Sequence, residues 1–131
     1  MSQRSVRIDV PAGLNAPSEA RHEVTVSLRA WGFTEPRWLD AAAIVISELV
    51  TNAVQHAGGD SVPITVQASG RSVLLSVADK SAEAPRRRHP DDRGGRGLML
   101  IDALSARWYV QDDGGGKCVN VELQPYPGEV R

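Results

Sequence analysis

Several patterns are scarce in this chain of 131 residues, and each scarcity excludes a class of protein. Cys118 is the one cysteine, which excludes an internal disulfide framework and favours a reducing compartment. The longest apolar run, residues 41–46, is far too short to cross a bilayer. The net charge is −1, so no global field attracts nucleic acid or an anionic membrane.

Targeting and metal-binding signals are also missing from the sequence. The amino terminus carries Arg4, Arg7 and Asp9 where a secretory signal would need an unbroken apolar segment. No group of histidines, cysteines and acids has the spacing of a metal cluster. With 41% apolar and 24% charged residues, the composition is that of an ordinary globular protein. We therefore predict a cytoplasmic protein with one domain over residues 1–131, a core from about 5 to 124, and no contact with a membrane.

Apolar periodicity predicts alternating blocks of strands and helices. Helices are expected after Asn15 as far as Gly32, from about Arg37 to Ala57 after a start signal at Thr34, and over 98–104. Strands are expected over 5–10, 63–68, 72–78, 107–111 and 117–123, the first of them at an edge of the sheet. The tail, 125–131, holds two prolines and a glycine and is predicted to fray.

This order of elements favours one architecture over another. A doubly wound fold would alternate strand and helix throughout, whereas here the order is strand, two helices, hairpin, helix and hairpin. The sequence therefore predicts an α/β two-layer sandwich, with three helices packed on one face of a mixed, largely antiparallel sheet.

The second predicted helix carries polar side chains at helical intervals beside an apolar stripe. Glu48, Asn52, Gln55 and His56 fall within one arc of a 3.6-residue repeat. A solvated helix face and a binding site fit this spacing about equally. The stripe beside it consists of Leu39, Ala42, Ala43, Ile46, Leu49, Val50 and Ala53.

Two further segments carry candidate binding groups. Asp79 ends an apolar strand, where a carboxylate either accepts a hydrogen bond from a ligand amine or caps its own turn. Fourteen residues without periodicity follow, 80–93, and a loop of that length in a small domain is typical of a lid or a binding loop. Gly94-Gly95-Arg96-Gly97 then opens the third helix, where backbone N–H groups suit a phosphate chain, although a turn needing positive φ also explains the glycines.

Taken together, these segments resemble a known family. The order and spacing of Glu48-x-x-x-Asn52-x-x-x-His56, Asp79 and Gly95-Arg96-Gly97-Leu98 are similar to the N box, the adenine-binding acid and the second glycine box of the anti-sigma-factor-type serine kinases. These belong to the histidine-kinase-like ATPase superfamily with DNA gyrase, the histidine-kinase catalytic domain and MutL, and the resemblance implies their Bergerat fold.

The resemblance also implies roles for individual residues. Asn52 would bind Mg²⁺, Glu48 would be the general base, and Asp79 would bind the adenine amino group of ATP. Gly95, Arg96, Gly97 and Leu98 would bind the nucleotide beneath a flexible lid, residues 80–94. His56 is predicted to end its helix without a catalytic role, and core or interface positions are expected for Trp31, Trp38 and Trp108.

The chain departs from the family pattern at two places. The family's first glycine box places glycines shortly after the acid, whereas this chain has Lys80-Ser81-Ala82-Glu83. A threonine near the last strand helps hold adenine in the family, and Cys118 is taken as its equivalent here, with a weaker hydrogen-bonding group.

Three functions follow as alternatives. The first is a protein serine/threonine kinase that uses Mg-ATP to phosphorylate a small anti-sigma-factor antagonist and that sequesters a sigma factor. The second is a catalytically weak or inactive, nucleotide-dependent clamp on a partner protein. The third is nucleic-acid contact through the arginines of 86–96, but nearby acids offset that charge and no aromatic residue interleaves it, so no direct contact is expected. A homodimer is compatible with each.

Overall fold

The computed structural model describes residues 3–56, 60–79, 96–112 and 114–130, and within them five strands and three helices. The strands are β1 (Gln3–Pro11), β2 (Ser61–Ser69), β3 (Ser72–Asp79), β4 (Ser105–Asp112) and β5 (Lys117–Leu123). The helices are α1 (Ala16–Ala30), α2 (Pro36–His56) and α3 (Arg96–Leu104). Each element was predicted, with boundaries that differ by at most two residues, and the bounds of β5 agree with the prediction at both ends. The lid prediction for residues 80–94 lies outside the described residues.

All five strands join one sheet in the order β1-β2-β3-β5-β4. Every pairing is antiparallel, so the sheet is not mixed, and β1 lies at an edge as predicted. Gly70 turns the β2–β3 hairpin at a φ of 60°, in the left-handed region that glycine enters without steric cost. The exchange of β4 and β5 in the order brings β5 beside β3, and this adjacency positions the candidate site.

The three helices cover one face of the sheet, which confirms the two-layer sandwich. α1 packs on β1, α2 on β2, β3 and β5, and α3 on β4, while α2 also contacts both other helices. Alternate strand residues therefore point into the core, as in Val73, Leu75 and Val77 of β3, which are all at most 1% exposed. The predicted stripe of α2 faces this layer, with Ala43 alone of its members only half-buried.

The start of α2 is capped by a different residue from the predicted one. Glu35 accepts hydrogen bonds through its carboxylate from the backbone N–H groups of Arg37 (3.2 Å) and Trp38 (2.7 Å). These N–H groups have no partner within the helix, and a carboxylate also complements the positive end of the helix dipole. Thr34, which the sequence indicated as the start signal, is exposed and instead donates its backbone N–H to the Tyr126 hydroxyl.

The prediction that the tail frays is wrong for its described part. Tyr126 is 4% exposed and lies against the rings of Phe33 and Trp38, with centroids 5.1 and 5.0 Å away. Its hydroxyl accepts the backbone N–H groups of Thr34 and Glu35, which lower the pKa of the phenol. Aromatic packing and hydrogen bonds thus fix a segment whose prolines and glycine suggested mobility. Of the three tryptophans, Trp38 is buried, and Trp31 and Trp108 are half-buried against the core, as predicted.

No helix among the described residues is long and apolar enough to cross a membrane.

Candidate functional site

Glu48 and Asn52 lie one turn apart on α2, so their side chains project from the same face of the helix. Both are half-buried, and neither side chain has a hydrogen-bond partner among residues 3–56, 60–79, 96–112 and 114–130. The neighbouring hydroxyls differ, because Ser47 and Thr51 donate to carbonyl oxygens one turn back, at 2.8 and 2.7 Å. A carboxylate and an amide are therefore available side by side for a ligand.

Burial affects the chemistry of Glu48. Removal from water disfavours the charged form of a carboxyl group, and this desolvation raises the pKa of Glu48 above its ordinary value of 4.5. A general base works best when its pKa approaches the working pH, so the shift is in the direction that a base requires.

Asp79 lies at the end of β3, on the face of the sheet that the helices cover. Asp79 is 7% exposed as a whole residue. It stands directly opposite Lys117, the first residue of β5. The Lys117 Nζ lies 3.6 Å from the Asp79 Oδ2, and the two side chains are 7% and 4% exposed. The acid that was predicted to bind adenine is thus a buried carboxylate in an ion pair. The sequence did not indicate Lys117, because a lone lysine at the start of a strand usually projects into solvent.

The structure does not bring Cys118 to Asp79. Successive side chains of a strand point to opposite faces, so Cys118 points away from the helices. On that face its Sγ lies 3.8 Å from the Asn120 Oδ1, and Asn120 also bonds to Ser76 and Gln111. The residue of β5 that stands beside Asp79 is Lys117, one position earlier than the residue that the family resemblance suggested.

The second glycine box is described only in part. Arg96, Gly97 and Leu98 form the first turn of α3, and Gly95 lies outside the described residues. This helix packs against α2 and β4, on the same side of the sheet as Asp79. Its first turn leaves backbone N–H groups without partners within the helix, which are the donors that a phosphate chain needs.

The donor set fits a nucleotide with its metal better than a resident metal ion. No group of three or more histidines, cysteines or acids that could hold a metal occurs in the described part of the chain. The Asn52 amide oxygen is a hard ligand that suits Mg²⁺ when phosphates and waters supply the remaining oxygens. The buried acid opposite a lysine offers an acceptor and a donor to a base. The residues therefore fit Mg-ATP.

Comparison with known proteins agrees with this geometry. Residues 10–123 match the histidine kinase-like ATPase domain family. The chain belongs to this family. No curated protein matches the chain. The family is one of ATPase domains, so membership implies ATP as the ligand.

Solved structures place the fold in the same group. The structure is similar to the RsbU and RsbW domains of Rv1364c from Mycobacterium tuberculosis, with a TM-score of 0.70 and 20% identity over 96% of this chain and 34% of that one. It is also similar to the histidine kinase domain of the blue-light activated histidine kinase EL346 from Erythrobacter litoralis, with a TM-score of 0.51 and 26% identity over 68% of this chain and 45% of that one. The chain thus spans about a third and under half of these two proteins.

A third structure matches over nearly its full length. The catalytic domain of the histidine kinase ThkA gives a TM-score of 0.54 at 16% identity, over 92% of this chain and 96% of that one. These likenesses establish the Bergerat fold for this ATPase domain.

Proposed function

We propose that this ATPase domain is a protein serine/threonine kinase that transfers a phosphoryl group from Mg-ATP to a partner protein. The observation that carries the proposal is the pair of half-buried side chains on α2, Glu48 and Asn52, which have no hydrogen-bond partner in the described part of the chain. They lie on the helix that packs against the strand ending in Asp79. Phosphoryl transfer depends mainly on positioning and charge neutralisation, so this small set of groups is sufficient.

Each group has one task in the proposed reaction. The Asp79 carboxylate accepts a hydrogen bond from the adenine amino group, and the Asn52 oxygen would be a ligand of Mg²⁺ when Mg-ATP is bound. Backbone N–H groups of Gly95, Arg96, Gly97 and Leu98 bind the phosphate chain. Bound Mg²⁺ would neutralise phosphate charge. Glu48 accepts the proton of the attacking serine hydroxyl, and the raised pKa of this carboxyl group favours that role.

The proposed partners are a small anti-sigma-factor antagonist and a sigma factor. The resemblance of the N box and the second glycine box to anti-sigma-factor kinases supports this, and so does the structural similarity to a protein that contains an RsbW domain. In this scheme the chain phosphorylates the antagonist on serine and sequesters the sigma factor, acts in the cytoplasm and does not contact nucleic acid. We also propose one domain over residues 1–131, with a lid over 80–94.

The experiment is phosphoryl transfer from labelled ATP to candidate antagonists by wild type and by Glu48→Gln. Glutamine keeps the shape of the side chain and cannot accept the proton, so the variant should bind ATP and lose transfer by at least about 100-fold. Asp40→Asn is the matched control, because it makes the same acid-to-amide change at an exposed position of the same helix. Equal transfer by wild type and Glu48→Gln would remove Glu48 as the base.

A second candidate is a nucleotide-dependent clamp that binds a partner protein without transferring a phosphoryl group to it. It is favoured by Lys80-Ser81-Ala82-Glu83, which puts side chains where the family has glycines after the adenine-binding acid. A clamp would bind a partner more tightly with ATP than without it and would show the same affinity in Glu48→Gln as in wild type. Transfer that depends on Glu48 would exclude this candidate.

A further inference from the structure

The end of the sheet beside α2 holds two charges where the pattern of the strands calls for apolar residues. The core-facing residues of β3 are Val73, Leu75, Val77 and Asp79, and those of β5 are Lys117, Val119, Val121 and Leu123. Six of these eight positions are apolar, and the last cross-strand pair, Asp79 and Lys117, is an ion pair. The two charges are therefore part of the face that packs under the helices and not of the solvated face.

Stability alone does not account for this pair. Two buried charges lose their hydration when the protein folds. Even with their mutual attraction, such a pair seldom stabilises a fold more than well-packed apolar residues of similar size would. The chain also has an ion pair of the same 3.6 Å length between Arg107 and Glu122, on the outer face, where the side chains are 68% and 32% exposed. That surface pair keeps its hydration, whereas the Asp79–Lys117 pair keeps little.

The two buried groups match one edge of adenine. Adenine presents an amino group, which donates hydrogen bonds, between two ring nitrogens that accept them, N1 and N7. Asp79 is an acceptor, and Lys117, whose ammonium group carries three N–H donors, lies beside it with its Nζ 3.6 Å from the Asp79 Oδ2. A hydrogen bond from a charged donor is stronger than a neutral one, and more selective where water is excluded.

We propose that Lys117 is a second base-reading residue, whose ammonium group donates a hydrogen bond to a ring nitrogen of adenine that flanks the amino group held by Asp79. This inference rests on the proposed nucleotide site. The ammonium group thereby takes the place beside the acid that the family resemblance led us to assign to residue 118.

The first test uses the wild-type protein and calorimetric binding of three nucleotides: ATP, 1-deaza-ATP and 7-deaza-ATP, each with Mg²⁺. Each analogue lacks one ring nitrogen and keeps the amino group. One analogue should bind about 10- to 100-fold more weakly than ATP, which is the effect of losing a hydrogen bond to a charged group, and the other should bind like ATP. Equal binding of all three would overturn the role of Lys117. If none of the three binds at millimolar concentration, the proposed nucleotide site itself fails, and the inference fails with it.

The second test compares Lys117→Met and Lys117→Arg with Arg107→Gln, which removes the same charge from the exposed pair. Lys117→Met should lose about 10- to 100-fold in ATP affinity and no longer distinguish ATP from the analogues. Lys117→Arg should keep most of the affinity, and Arg107→Gln should match wild type. If Lys117→Met weakens all three nucleotides by one common factor, Lys117 only holds Asp79 in place and the base-reading role is wrong.

A spectroscopic measurement on wild type requires no variant to fold. The chain has two lysines, Lys80 and Lys117, so the ammonium signals in a nitrogen-15 spectrum are few enough to assign. The Lys117 signal should shift on addition of Mg-ATP and stay in place with the discriminating deaza analogue. A Lys117 signal that responds identically to ATP and to both analogues would overturn the proposal.

Discussion

Glu48 is a candidate site residue, and the burial of its charged form also lowers the free energy of unfolding. Its pKa is raised by burial above 4.5, so the folded protein favours the neutral carboxyl group. Ionisation therefore removes stability as the pH rises from the unfolded pKa through the folded one, and the loss is complete above it. Glu48→Gln should remove this cost and be more stable than wild type at pH 7, by less than about 1 kcal/mol because solvent screens a half-exposed group.

Urea unfolding of wild type, Glu48→Gln and the exposed control Asp40→Asn at two pH values checks this. At pH 7 the glutamine variant should have a higher midpoint than wild type, and near pH 4 the difference should shrink because Glu48 is then mostly neutral in both states. A difference that is the same at both pH values would show that a change in packing, and not ionisation, separates the two proteins.

Asn52 should affect the binding of Mg²⁺ with ATP and have little effect on the binding of adenine. Asn52→Ala removes the side-chain oxygen that the site offers to Mg²⁺, so affinity for Mg-ATP should fall by about tenfold or more while affinity for ATP in EDTA stays near wild type. Gln55→Ala, an exposed position of the same helix, is the control for loss of an amide. Equal losses with and without Mg²⁺ would argue that Asn52 contacts the nucleotide directly.

Residue types and their spacing predicted the candidate site groups, and one of them, Cys118, lies on the face of the sheet opposite to Asp79. Glu48, Asn52 and Asp79 were indicated by spacing and by the strand end, and these roles stay predictions. The error at Cys118 was one residue along a strand, which moves a side chain to the opposite face of the sheet. Register is set by the pairing of β3 with β5. These strands are about forty residues apart in sequence, so local patterns could not supply it.

The segment after β5 is the element that sequence patterns described least well. Trp38 donates its indole N–H to the Gln124 carbonyl at 2.8 Å, and the Tyr126 backbone N–H donates to the Arg71 carbonyl at 2.9 Å. The Arg71 Nε in turn donates to the Tyr126 carbonyl at 2.6 Å. The tail thus joins the start of α2 to the β2–β3 hairpin. Two prolines and a glycine predicted fraying because composition does not reveal such contacts across the molecule.

This attachment predicts an effect of Trp38→Phe on stability. Phenylalanine keeps a ring against Phe33 and Tyr126 but leaves the Gln124 carbonyl without its donor and a small space beside it, so the free energy of unfolding should fall by about 1–3 kcal/mol. Trp108→Phe is the matched control, because its indole bonds to the exposed Asp102. The measurement is denaturant unfolding of both variants. Equal losses would mean that the buried contact to the tail contributes no more than the surface one.

At the scale of the whole molecule, the architecture followed from periodicity and the site did not. The strands have an apolar face of alternating valines, and α2 has an apolar stripe. Each apolar face must be buried against another, and a two-layer sandwich does this by packing the helices on the sheet. The order β1-β2-β3-β5-β4 is less predictable, since it depends on which strand pairs with β3 after a long connection. It is this exchange that brings Lys117 to Asp79.

Binding of Mg-ATP should therefore stabilise the whole domain. A ligand that binds only the folded state adds about 2.7 kcal/mol when its free concentration is a hundredfold its Kd. For a chain of 131 residues this raises Tm by roughly 10 °C.

Asp79→Asn should abolish most of the rise at the same concentration, because the amide loses the charged acceptor and leaves Lys117 without its counter-ion. Asp112→Asn is the control, since Asp112 stands opposite Lys117 in the register of β4 and β5 but is exposed. Scanning calorimetry with and without nucleotide measures the shift, and an equal rise in wild type and Asp79→Asn would mean that the nucleotide binds elsewhere on the domain.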